Sequence, residues 1–188
     1  MEDTHENANN LAIVNGLVIG FITIVIQLAS YYFLPHLLGN MFYGVVVMVI
    51  SLAVYIIFTF DLRKKVGGYW SFREALKGIF LMAFIAGVFS SAVTNLFYKF
   101  IEPNAFEKVS GYVLNGLSST YEKLGMSQDK IDETIGDVES SLKSQYDPTL
   151  AQFFRTLSFA ILVQFIMSLI FAAVFKKEAP YFHQSDEE

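Results

Sequence analysis

An all-α polytopic membrane protein, with four transmembrane helices and an extracytoplasmic helical hairpin between helices 3 and 4, is the fold this sequence predicts. Two observations predict it. Four apolar stretches, residues 11–34, 41–60, 76–101 and 151–175, hold ionisable side chains only near their ends (Lys77, Lys99, Arg155). A rise of 1.5 Å per residue lets about 20 such residues cross a hydrocarbon core of roughly 30 Å. The insert between the last two stretches is polar yet carries two helical apolar stripes. At 54% hydrophobic and 16% charged, the composition fits one membrane domain and little else. That domain comprises residues 1–101 and 147–188, and the hairpin residues 102–146.

The first stretch is expected to stay in the mature chain. The preceding residues, Glu2, Asp3 and Glu6 among them, are acidic where a signal peptide carries Lys or Arg, and the apolar run is too long for an h-region. Orientation follows from basic density. Arg63, Lys64, Lys65, Arg73 and Lys77 crowd the loop between stretches two and three, and Lys176 and Lys177 follow the fourth. Cytoplasmic loops carry the Lys/Arg excess, so both termini are expected in the cytoplasm and the insert outside. Aromatic pairs near the span ends (Tyr31 and Tyr32, Tyr69 and Trp70, Phe97 and Tyr98) suit the headgroup level.

Helix punctuation refines the ends. Ser71 and Glu74 have capping-box spacing just after Gly67 and Gly68, so the third helix is expected to start at Ser71 and end near Pro103. Asp147 followed by Pro148 has the pattern of an N-cap with proline at the first helical position, placing the fourth start there. In the insert, Phe106, Val109, Val113, Leu117, Thr120 or Tyr121, and Leu124 form one stripe. Ile131, Ile135, Val138, Leu142 and Tyr146 form the other, with a turn at Gly125 and Met126 and Ser127 as the cap. The stripes are expected to face each other.

The net charge of −5 equals the surplus of acids over Lys in residues 102–150, so all of the excess lies on this insert. Those acids serve either as a docking surface for a basic partner or simply keep an exported loop soluble. Two runs of small residues, Ala12/Gly16/Gly20 and Ala83/Gly87/Ser91, permit close backbone approach in lipid and are expected to pack on each other; a homo-oligomer face is the alternative. Polar residues within the spans are neutral, which argues against ion-coupled transport. Ser90, Ser91, Thr94, Asn95 and Gln164 could line a small polar cleft between spans 3 and 4. Arg63, Lys64, Lys65, Arg73 and Lys77 are candidates for contact with anionic lipid, besides setting topology.

No hydrolase elbow, zincin helix, phosphate-binding glycine loop or EF-hand spacing occurs in the chain. Cysteine is absent, and His5, His36 and His183 are too scattered to form a metal set. No catalytic residue, cofactor or metal is therefore expected, and so acidic a chain is a poor nucleic-acid binder. The glycine-bearing first span, the segment Gly67-Gly68-Tyr69-Trp70-Ser71-Phe72-Arg73-Glu74-Ala75-Leu76-Lys77-Gly78 and the exit Tyr98…Ile101-Glu102-Pro103 resemble a bacterial membrane protein family, domain of unknown function 4199. The resemblance implies four helices in a bacterial cytoplasmic (inner) membrane and brings no activity. The function these features point to is a non-enzymatic membrane accessory or scaffold protein contacting another envelope protein through its acidic hairpin. The alternative is a binder or transporter of a lipid or small amphiphile in the polar cleft.

Overall fold

The computed structural model describes residues 2–146 and 148–178, with side chains from Asn7 onward. The described residues form six α-helices: α1 (Glu2–Phe33), α2 (Met41–Lys65), α3 (Phe72–Phe100), α4 (Ala105–Lys123), α5 (Gln128–Tyr146) and α6 (Leu150–Phe175). Four segments are long and apolar enough to cross a membrane: Asn7–Phe33, Met41–Lys65, Phe72–Phe100 and Leu150–Phe175. Helix α1 continues well before the expected start at residue 11, and α2 runs past 60 through its basic last turn.

Local chemistry explains the ends. The α2 terminus is a Schellman motif, because the Gly68 N–H donates to the Arg63 carbonyl at 2.9 Å and the Gly67 N–H to the Lys64 carbonyl at 3.3 Å. That geometry needs the positive φ of +102° that Gly67 supplies. The capping box at Ser71 forms as its spacing predicts. A second box, Thr149 with Gln152, starts α6 at Leu150, later than a cap at residue 147 would; Asp147 itself lies outside the described residues. Between α1 and α2 the chain makes a 3-10 turn, Pro35–Leu37, which periodicity did not indicate.

Helix α3 is the hub. It packs most extensively on α1 and next on α6, while α2 lies against the outside of α1. At the end nearest the 66–71 loop all four spans share one core, with Ala12, Leu62, Ile79, Met82 and Ala172 buried together. The α2–α3 loop also clasps the end of α6. The Trp70 backbone exchanges hydrogen bonds with Lys177 at 2.8 and 3.1 Å, and the indole N–H donates to the Phe175 carbonyl at 2.8 Å. The loop and residues 176–178 therefore share one end of the bundle, and α4 and α5 sit at the other.

At that other end α4 and α5 pack on each other, joined by a second Schellman turn at Gly125. The pair is docked onto the spans. Tyr31, Tyr98, Ala105 and Val109 form a second core, and the Tyr98 ring lies 4.5 Å from that of Tyr146. Gly39, at φ +83°, sits directly against the Val113 backbone, and a Cβ on Gly116 would lie 3.2 Å from the Leu38 carbonyl. The α4 stripe is thus shared between α5 and the α1–α2 turn; it does not face α5 alone. Leu124, expected in the stripe, is exposed. Glu102 fastens this end further, accepting from Tyr31 at 3.1 Å and Tyr32 at 3.2 Å and pairing with Lys108. The ion pair holds the Glu102 carboxyl below its ordinary pKa and raises that of Lys108, while burial pushes the Tyr146 hydroxyl up.

Candidate functional site

The two small-residue runs do not pack on each other as expected. Gly16 and Gly20 of α1 do meet α3, but a Cβ on Gly16 would lie 2.6 Å from the Met82 carbonyl, and one on Gly20 would lie 3.0 Å from that of Ala86. The surface of α3 used here is the 82/86/89 row. Ala83, Gly87 and Ser91 lie one or two residues further along, and each step turns about 100° around the helix. Ala83 is buried, Gly87 faces the Gln164 amide of α6, and Ser91 borders a cleft. Composition marks a small residue as a packing residue without saying which neighbour it meets.

The cleft exists because α3 and α6 separate toward the hairpin. Near the loop end they are closely packed, with Ala75, Ile79, Met82 and Ala83 buried on one and Ser168 and Ala172 on the other. Beyond Gly87 on α3 and Gln164 on α6, burial falls away, Tyr98 excepted. The result is a cavity of about 640 Å³ bounded by α3, α6 and, across its top, α5. All five residues that the sequence offered as a polar cleft, Ser90, Ser91, Thr94, Asn95 and Gln164, line it. Sequence reasoning did not assign Gln27 of α1 or the α5 residues Asp137, Ser141 and Gln145 to this site. Tertiary packing alone brings them there.

The wall is graded. On the α3 side, the Ser90 hydroxyl bonds the Gly87 carbonyl at 3.3 Å, and Asn95, nearer the hairpin, bonds the Ser91 carbonyl at 2.8 Å. The Thr94 hydroxyl donates to the Gln27 side-chain oxygen at 3.2 Å. The Gln164 side-chain amide has no hydrogen-bond partner among the described residues; its NH2 rests against Gly87 where any Cβ would displace it. Val88, Phe153, Leu157 and Ile161 supply apolar surface, and α5 supplies a hydroxyl- and amide-rich rim. Among the described residues the lining contains no Lys, Arg or His, and Asp137 is its one carboxylate. Such a wall suits a molecule with an apolar body and an uncharged or zwitterionic polar group.

The basic candidates separate. Lys65 pairs with Asp61 at 2.7 Å, and Asp61 also accepts from the buried Asn15 of α1 at 3.0 Å. Arg63 lies over the Phe60 ring and reaches the Phe175 carbonyl at 3.4 Å. Lys64 is exposed, while Arg73 and Lys77 line a second crevice at the loop end. Among the described residues no group of His, Asp or Glu is arranged to hold a metal; the His5 side chain and all of His183 lie outside them.

The chain matches the family described as protein of unknown function (DUF4199) over residues 15–177, which takes in most of the first span, the other three spans, both hairpin helices and the Trp70–Lys177 clasp. It belongs to the DUF4199 family. For this DUF4199 protein the match establishes kinship without assigning chemistry. No curated protein and no solved structure matches it.

Proposed function

We propose that this protein is a non-enzymatic integral membrane protein that binds a neutral or zwitterionic amphiphile, a lipid or a lipid-like molecule, in the cleft between α3, α5 and α6. The single observation that carries this reading is the Gln164 amide, unpaired at the inner end of a half-apolar cavity within the spans. The amide is open to the cavity and takes no hydrogen bond from the described residues, so it is free to pair with the polar group of a bound molecule. The lack of any cation in the wall disfavours an anionic ligand. In this reading the loop end, with its basic excess, is cytoplasmic, the hairpin is extracytoplasmic, and the membrane is the bacterial inner membrane.

The test is native mass spectrometry of the protein released from mild detergent. A neutral or zwitterionic lipid adduct is expected on the wild type and lost in Gln164→Leu combined with Asn95→Leu. Retention of that neutral or zwitterionic adduct in the variant, or its absence from the wild type, refutes the proposal. A second reading, an accessory or scaffold protein that docks a basic envelope partner, is favoured by the α5 surface, where Asp129, Glu133 and Glu139 are exposed and make no ion pair among the described residues. It requires a stoichiometric protein partner that disappears when residues 104–146 are deleted.

A further inference from the structure

We infer that the crevice at the loop end is a second site, which binds the phosphate group of an anionic phospholipid. It lies between the start of α1 and the start of α3 and has a volume of about 910 Å³. Arg73 and Lys77 stand on its wall one helical turn apart, about 6 Å along α3, a spacing that brackets a phosphate. Both are exposed and neither makes an ion pair among the described residues, whereas Lys65 and Arg63 of the same basic cluster are engaged within the protein. A third cation stands at the rim, where the Lys177 ammonium lies 5.0 Å from the centroid of the Tyr69 ring.

The remaining surface suits the apolar part of a lipid. Leu62 and the face of Trp70 form the floor, and the indole is immobilised by its bond to the Phe175 carbonyl. Gly78 keeps that floor open, since a Cβ there would already stand 3.2 Å from Leu62 and 3.6 Å from Trp70. Glu74 also borders the crevice, but one of its carboxylate oxygens is bound to the Ser71 N–H and hydroxyl in the capping box, at 2.8 and 2.9 Å. Among the described lining residues, two cations stand against this one carboxylate. The α3–α6 cleft, with no cation among its described lining residues, carries the opposite preference, so the two ends of the protein select different lipids.

Trp70 is the only tryptophan in the chain, so its emission reports on this crevice alone. Full-length protein in neutral detergent is titrated with phosphatidylglycerol or phosphatidylcholine brominated on the acyl chain near the glycerol. Quenching is expected at a lower mole fraction of phosphatidylglycerol. Basic residues near an anionic surface are each worth about fivefold in affinity, so Arg73→Gln with Lys77→Gln should raise the midpoint about 25-fold. Lys64→Gln, which removes an exposed charge outside the crevice, should move it far less. Equal quenching by both lipids, or a Lys64→Gln effect per charge as large as that of the double variant, overturns the site. Displacement of phosphatidylglycerol by excess inorganic phosphate overturns the lipid as the source of the anion. Arg73→Lys with Lys77→Arg should retain binding, which separates loss of charge from loss of fold.

Discussion

Replacing Gly16 with alanine tests the packing that organises the spans. The added Cβ would lie 2.6 Å from the Met82 carbonyl oxygen and 2.9 Å from the Ile85 Cβ. Neither is the free end of a flexible side chain, so α1 must move away from α3 by roughly 0.5–1 Å, a shift that forfeits a quarter to a half of the dispersion energy at each affected contact. Overpacking of this kind costs about 1–3 kcal/mol. Gly44 provides the opposite case, because nothing lies within 4 Å of its Cβ position on the outer helix α2. There alanine should stabilise by about 0.5–1 kcal/mol through helix propensity alone. Reversible unfolding in mixed micelles of increasing denaturing detergent measures both. A Gly16→Ala protein as stable as the wild type, or a Gly44→Ala protein that loses as much as Gly16→Ala, would refute the assigned seam.

Two other outcomes concern the hairpin. The Glu102 carboxyl is held below its ordinary value near 4.5, so its contribution is complete above that pH and is lost as pH falls through the depressed value. Lys108 is raised above its ordinary 10.5, so its contribution is complete below that pH and is lost as pH rises through the elevated value. Hydrogen-exchange protection factors in α4, with the intrinsic pH dependence of exchange divided out, should therefore be high and flat between the two limits and fall outside them, and Lys108→Gln should flatten both limbs; unchanged limbs would dismiss the pair as a fastener. Gly39→Ala forces a Cβ into the left-handed region at φ +83° and against the Val113 backbone. The backbone term alone costs about 1–2 kcal/mol, and limited proteolysis at residues 124–127 should quicken without any drop in helix content.

What could be read from the chain was what depends on local periodicity. The spans follow from apolar runs, the α3 start from the Ser71–Glu74 spacing, and the helical insert from its stripes. The five polar residues of the cleft were recognisable because neutral side chains stand out in an apolar segment. Which surface of α3 meets α1 was not recognisable, since Met82 and Ala86 look like any other apolar pair until the helices are placed. The part played by α5 in the cleft was equally hidden. It depends on the docking of α4 at Gly39 and Gly116, two glycines far apart in sequence whose lack of side chains matters only when the segments meet. Trp70 read as an interfacial aromatic; its bond to Phe175 depends on a partner more than 100 residues away.

The clasp between Trp70 and Lys177 fastens α6 at one end only. In the first turn at its other end, the Gln152 side chain donates to Ser144 of α5 at 3.0 Å. A guest that wedges α3 and α6 apart would swing the final span about its clasped end like a lever, and the longest displacement would arrive at the acidic rod. Occupancy deep within the bilayer would thus be legible as a tilt at the surface, where a soluble neighbour can feel it.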